Sequence, residues 1–212
     1  MLRHIPDARK RVPPRGAENG MHKTIYQAFE RICSERNAGG AVLEVGAKPS
    51  AKTLLAMKCL ENAREKIGIN LNPSATFADF EVVQGNANDM SIFPDDRFDT
   101  VLCNAMLEHD KFFWKTISEI YRVTRHGGLV VLGVPAFVTL PVNIWLDAKR
   151  SFVPMPKWLF RSTLTFKVHN APGDYYRFSR QAVEEVLLAG MNNIQSEVVM
   201  LPPRIIGSGI KN

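Results

Sequence analysis

AVLEVGAKPSAKT, running from Ala41 to Thr53, sets the frame around which the rest of the chain is arranged. Four apolar residues surround a single acid, Glu44, over Ala41–Val45, which predicts a short buried strand. Gly46 then opens a turn, and a helix starting near Ser50 is expected through Arg64, with Leu54, Leu55, Met57, Lys58 and Leu60 on the face turned to the core. A carboxylate at the carboxyl end of a strand, beside a turn that lets backbone approach a ligand, suits a nucleotide-like cofactor. The same pattern also describes a plain central strand whose Glu44 is salt-bridged or solvated at its end.

Outward from this stretch the chain alternates. Residues 66–71, Phe80–Gln84, Phe98–Asn104 and residues 128–134 read as further strands. Each is apolar nearly throughout, as strands covered on both faces are. Residues 22–35 carry Ile25, Ala28, Phe29 and Ile32 at helical spacing, and residues 112–125 form a second helix ended by His126-Gly127-Gly128. Ser179 caps a helix through Leu188, Gly190 stops it, and residues 194–201 read as a sixth strand. The following PPRIIGSGIKN is too broken by Pro and Gly to be assigned a strand. Strands alternating with helices predict one α/β domain over residues 21–212. Its fold class is doubly wound: a mostly parallel, Rossmann-like sheet with helices on both faces.

Two segments stand outside that alternation. Residues 1–20 are rich in Arg, Lys, Pro and Gly and read as a flexible basic arm. Residues 137–178 mix Trp145, Phe152, Trp158, Phe160, Phe166, Tyr175 and Tyr176 with Lys149, Arg150, Lys157, Arg161, Lys167 and Arg177. An insertion of that length after a strand is expected to form a lid or substrate wall. Its composition also suits peripheral contact with a membrane surface.

Composition excludes several classes. The chain has 212 residues, 45% hydrophobic and 23% charged, with a net charge of +6. That is the balance of a soluble globular domain. No aromatic–basic nucleic-acid motif is present, so no nucleic-acid partner is expected. Cys33, Cys59 and Cys103 are odd in number and outside metal-ligand spacing. They point to a reducing, cytoplasmic setting with neither a disulfide framework nor a metal. No run of about 18 apolar residues exists to span a membrane, and the amino terminus lacks the apolar core of a secretory signal.

The ordered series of motifs carries a resemblance. VLEVG (42–46), GIN (68–70), QGNANDMSIFPDDRFDTVLC (84–103), LEHD (107–110), EIYRVTRHGGLVVLGVP (119–135), DYYRFS (174–179) and AGM (189–191) follow one another with family-like spacing. Over residues 41–201 the chain resembles the class I S-adenosylmethionine-dependent methyltransferases. The resemblance implies methyl transfer from S-adenosylmethionine to O, N or C of a small or lipid-like acceptor. It implies that Glu44 and Gly46 face the methionine part of the cofactor. Asn70 stands where an acid usually takes the ribose hydroxyls, and Asn86, with Ala87, where an acid usually reads the adenine amine. Asn104 lies where the fourth strand meets the cofactor. Glu108 and His109 lie beside the point of methyl transfer, and His169, Tyr175 and Arg177 are candidates for acceptor recognition.

The chain departs from the family at the turn, where Lys48 and Ser50 replace two glycines of G-x-G-x-G, and at the two amides. Lys48 is positioned to pair with the cofactor carboxylate or to point to solvent. A methyltransferase-like domain that binds without catalysis is therefore the alternative reading. GAKPSAKT also approaches the phosphate-binding G-x-x-x-x-G-K-[ST], but Ala51 stands at the second glycine and no acid for magnesium ends the fourth strand.

Overall fold

The computed structural model describes residues 21–139, 163–164 and 173–212. Their centre is an eight-stranded sheet of order β3-β4-β2-β1-β5-β6-β10-β9. In chain order the strands are β1 (Ala41–Val45), β2 (Glu65–Asn70), β3 (Ala75–Phe77), β4 (Phe80–Gln84), β5 (Phe98–Asn104) and β6 (Thr124–Pro135). A separate two-stranded pair, β7 (Val138–Thr139) and β8 (Thr163–Leu164), is followed by β9 (Met191–Val199) and β10 (Arg204–Lys211). All five residues of β1 are buried. Its neighbours β2 and β5 are both parallel to it, with Val45 opposite Ile69 on one side and Cys103 on the other. The parallel block β4-β2-β1-β5-β6 thus matches the expected core of the sheet.

Side-chain alternation along these strands gives two apolar layers. Val42, Leu102, Val131 and Ile206 face helix α1 (Lys23–Glu35), which buries Ile25, Phe29, Ile32 and Cys33 against them. The helix begins at His22, whose ring nitrogen accepts from the Thr24 amide at 3.2 Å. Leu43, Val45, Cys103 and Leu132 face the other way. They lie under α2 (Phe113–Val123) and under α3 (Arg180–Ala182), which continues as a π-type turn over Val183–Leu187. Helices on both faces are what a doubly wound sheet requires.

Three expectations are corrected. Residues 50–64 form no regular helix but two short 3₁₀ turns, Leu54–Ala56 and Lys58–Leu60, with Met57 extended between them. The Leu55 amide, which would be an unsatisfied donor in the first turn, is taken by the buried Glu44 carboxylate at 3.1 Å. The Thr53 hydroxyl donates to the same oxygen. Next, the Gly- and Pro-broken tail contains β10, inserted antiparallel between β6 and β9. Its glycines are packing requirements, because a Cβ at Gly207 would lie 2.4 Å from Val183 and one at Gly209 3.0 Å from Met191. Finally, residues 126–128 do not cap a helix; they belong to β6, whose register against β5 shifts between Phe98 and Thr100. Most of the 137–178 insertion, including Trp145, Trp158 and His169, lies outside the described residues, as do residues 1–20. Among the described residues no helix is long and apolar enough to cross a membrane.

Candidate cofactor and acceptor site

The chain runs from β1 through β2 to β4 on one side of the sheet, then returns to β5 and β6 on the other. The carboxyl ends of β1 and β5 therefore diverge, and ligands of open α/β sheets bind in the crevice so formed. A cavity of about 410 Å³ lies there, inside the ~300–1,000 Å³ range of small-molecule sites. Gly46 forms its floor after β1, Ile69, Asn70 and Leu71 one wall, and Gly85, Asn86, Ala87 and Asn88 a second. The loop after β5 closes it with Ala105, Met106, His109, Asp110 and Lys111.

Local hydrogen bonds shape this crevice. Gly46 has φ +85, a left-handed conformation that a Cβ resists, and its amide donates to Ile69 O at 2.9 Å. The Asn70 amide group donates to Ala47 O at 2.6 Å, while its oxygen accepts from the Asn72 amide at 3.2 Å. Asn86 accepts from the Asn88 amide at 3.0 Å. Asn88 in turn donates to Asp110 at 2.6 Å and to the Thr116 hydroxyl at 2.8 Å. Asp110 also accepts from the Thr116 hydroxyl at 2.7 Å and the Phe112 amide at 2.8 Å.

Of the residues singled out in the sequence, Gly46, Asn70, Asn86, Ala87 and His109 come together on this cavity. Glu44 and Lys48 do not line it. Glu44 is buried on the α1 side of β1, held by Thr53 and Leu55, and burial pushes its carboxyl up to about 7 against those hydrogen bonds. Lys48 is exposed on the turn. Asn104 does not line it either; its side-chain amide oxygen is buried over Gly133, where a Cβ would approach to 2.4 Å.

Glu108 is fully buried and ion-paired with Arg204 at 3.1 Å, its second oxygen unpartnered. Its carbonyl accepts from the amides of Tyr175 at 2.8 Å and Tyr176 at 3.3 Å. The His109 ring nitrogen lies 3.3 Å from Gly173 O, and the Tyr176 hydroxyl donates to Lys111 O at 3.0 Å. Arg177 grips Asp174 through two hydrogen bonds of 2.5 and 2.6 Å, and that partner raises its already high pKa. The 173–178 segment is thus clamped onto the loop after β5, and it brings Tyr175 and Arg177 beside Glu108.

Sequence reading passed over Asp110, Asn88 and Arg204. Asp110 sits at the end of the quoted LEHD, so adjacency could have flagged it as the carboxylate on the cavity wall. Arg204 lay in a tail not assigned a strand, and nothing local marks it as the partner of Glu108.

The donor set suits a nucleoside with a cationic group. Each amide carbonyl has two lone pairs and uses one locally, so Asn70 and Asn86 retain acceptor capacity for hydroxyl and amine donors. Asp110 supplies negative potential on the opposite wall.

Residues 40–132 match the family model for a methyltransferase domain. No curated protein matches the chain. Among solved structures it is similar to an S-adenosylmethionine-dependent methyltransferase from Archaeoglobus fulgidus, at TM-score 0.61 and 13% identity, covering 91% of this chain and 96% of that one. It is similar to one from Thermotoga maritima at TM-score 0.55 and 15% identity, covering 90% of each. Phosphoethanolamine N-methyltransferase 2 of Haemonchus contortus, in complex with S-adenosylmethionine, aligns at TM-score 0.56 and 14% identity. That alignment covers 89% of this chain and 52% of that one. At such identities the likeness is one of fold.

Proposed function

We propose that this chain is a class I S-adenosylmethionine-dependent methyltransferase that methylates a small or lipid-like acceptor at the β1/β5 crevice. The observation that carries the reading is the cavity at the reversal of strand order, walled by Asn70 and Asn86 on one side and by the LEHD loop on the other. When bound, S-adenosylmethionine supplies a methyl group activated by a sulfonium. The chain's own part is to hold two reactants in line, from which much of a displacement's rate derives. Asn70 takes the ribose hydroxyls, and Asn86 with Ala87 takes the adenine edge. Asp110 offsets the positive charge. His109, on the cavity wall, takes the proton of an acceptor that has one to lose. Glu108, buried on Arg204 and behind the cavity wall, positions the loop, its carbonyl holding the Tyr175 and Tyr176 amides. Tyr175 and Arg177, on the clamped segment, face the acceptor side.

The test has two stages. Titration calorimetry with S-adenosylmethionine and with its demethylated product should give saturable binding. Transfer of a radiolabelled methyl group is then followed against fractionated small metabolites and lipids. Absence of binding at millimolar ligand overturns the reading. Binding without transfer to any fraction leaves a ligand-binding domain in its place.

A further inference from the structure

The mouth of the cavity continues into a surface of unusual composition. Lys111 lines the cavity, and the residues that follow it turn outward: Phe112 is 49% exposed and Trp114 50%. Tyr175, clamped beside them, is 48% exposed. The Lys111 ammonium lies 5.5 Å from the Tyr175 ring centroid and that of Lys115 lies 5.4 Å from Phe112. Neither lysine pairs with a carboxylate among the described residues. The acids closest to them in the chain are engaged elsewhere, Asp110 by Asn88 at 2.6 Å and Thr116 at 2.7 Å, and Glu119 by Arg122 at 2.7 Å. Behind Trp114 an open groove of about 410 Å³ runs between α2 and the π-type turn, walled mainly by apolar side chains such as Ile117 and Val186.

We infer that this face docks on an anionic phospholipid surface, with Lys111 and Lys115 on the headgroup phosphates and Phe112 and Trp114 in the headgroup–acyl boundary. Three observations favour that occupant. Large aromatics are costly to leave in water and lie at membrane interfaces because one end is apolar and the other polar. Two lysines without a carboxylate partner among the described residues flank them, complementary to phosphate. The adjoining groove is apolar, which suits acyl chains and not the phosphate track of a nucleic acid. Such contact would set the cavity mouth, shared through Lys111, against the bilayer, giving a lipid-like acceptor a short path to the site. The docking itself does not depend on the methyltransferase reading.

The experiment uses the full chain in cosedimentation with vesicles of phosphatidylcholine alone and of equimolar phosphatidylcholine and phosphatidylglycerol. Binding is expected to the anionic vesicles and to weaken as salt is raised. K111Q and K115Q should each reduce partitioning about fivefold, the effect of one basic residue near an anionic surface. W114S should weaken binding without changing its salt dependence, since it removes insertion and not charge. Lys58→Gln, on the segment beside α1, should leave partitioning unchanged. Binding that survives K111Q/K115Q/W114S overturns the proposal, as does equal binding to neutral vesicles or none to either. Competition by a single-stranded oligonucleotide stronger than that by anionic vesicles replaces the lipid with a nucleic acid. Cofactor calorimetry on K115Q/W114S, two positions outside the cavity lining, separates this outcome from the function proposed above, because affinity for S-adenosylmethionine should persist there.

Discussion

Arg204 at the start of β10 and Glu108 in the loop after β5 form an ion pair of 3.1 Å from which water is excluded. They are 96 residues apart in the chain. Removing one partner from a buried pair leaves an uncompensated charge and costs about 3–5 kcal/mol. Arg204→Met and Glu108→Gln should each lower the urea midpoint accordingly. The double substitution should recover much of the loss, because no lone charge then remains. Additive losses in the double-mutant cycle would show that the two side chains are not coupled.

Glu44 gives a pH dependence of defined sign. Its carboxyl is pushed from the ordinary range up to about 7 by burial, so the folded chain holds a proton there that the unfolded chain releases. Stability from this group is full below the unfolded value near 4.5 and declines as pH rises to about 7. The span corresponds to a loss on the order of 3 kcal/mol. Wild-type chain should be more stable at about pH 5 than at about pH 8, other groups held equal, and Glu44→Gln should flatten that slope. Parallel pH profiles of urea midpoints for the two proteins check it.

The two cavity amides should respond differently to restored acids. Asn86 only accepts in its local bond, so Asn86→Asp keeps that bond and adds charge. Affinity for S-adenosylmethionine should rise about fivefold, near the ~1 kcal/mol gap between charged and neutral hydrogen bonds. Asn70 donates to Ala47 O, which a carboxylate cannot do. Asn70→Asp should therefore loosen the turn after β1 and fail to strengthen binding. Calorimetry on both variants decides; equal gains would mean that the Ala47 contact is dispensable.

Asp110 predicts charge discrimination. The methyl donor carries one more positive charge than its demethylated product, and Asp110 is on the wall both would touch. Asp110→Asn should weaken the donor roughly fivefold, as expected of a partly screened pair worth about 1 kcal/mol. The product should change little. An equal change in both affinities would assign Asp110 to loop structure alone.

How much of this was legible follows from where information is stored. The strand bounds Ala41–Val45, Phe80–Gln84 and Phe98–Asn104 agree with the expected ones because continuous apolar runs are local signals. Residues 50–64 misled because helical spacing of Leu54, Leu55 and Leu60 outweighed a side chain 9 to 11 residues away in the chain. It is Glu44, folded back onto Thr53 and Leu55, that draws off the first-turn donor. β10 was hidden by Gly207 and Gly209, which read as breakers until Val183 and Met191 are seen against them. In the site, motif order located the LEHD loop and both amides. Glu44 and Lys48, carried over from the family pattern, lie off the cavity because side-chain direction is set by which face of β1 and of its turn they occupy.

The position of β10 has a kinetic consequence. Its hairpin with β9 closes a short loop, so that pair can form quickly from local contacts. Its other edge pairs with β6, and β1 pairs with β5, across separations of roughly 55 to 80 residues that carry a much larger closure cost. Refolding should then show early hairpin structure that lacks fixed packing. The slow step should be the docking of the hairpin onto β6, the longest closure of the sheet, which first brings Arg204 within reach of Glu108. The charge pair at the site is thereby a late event, and weakening it should quicken unfolding more than it slows folding.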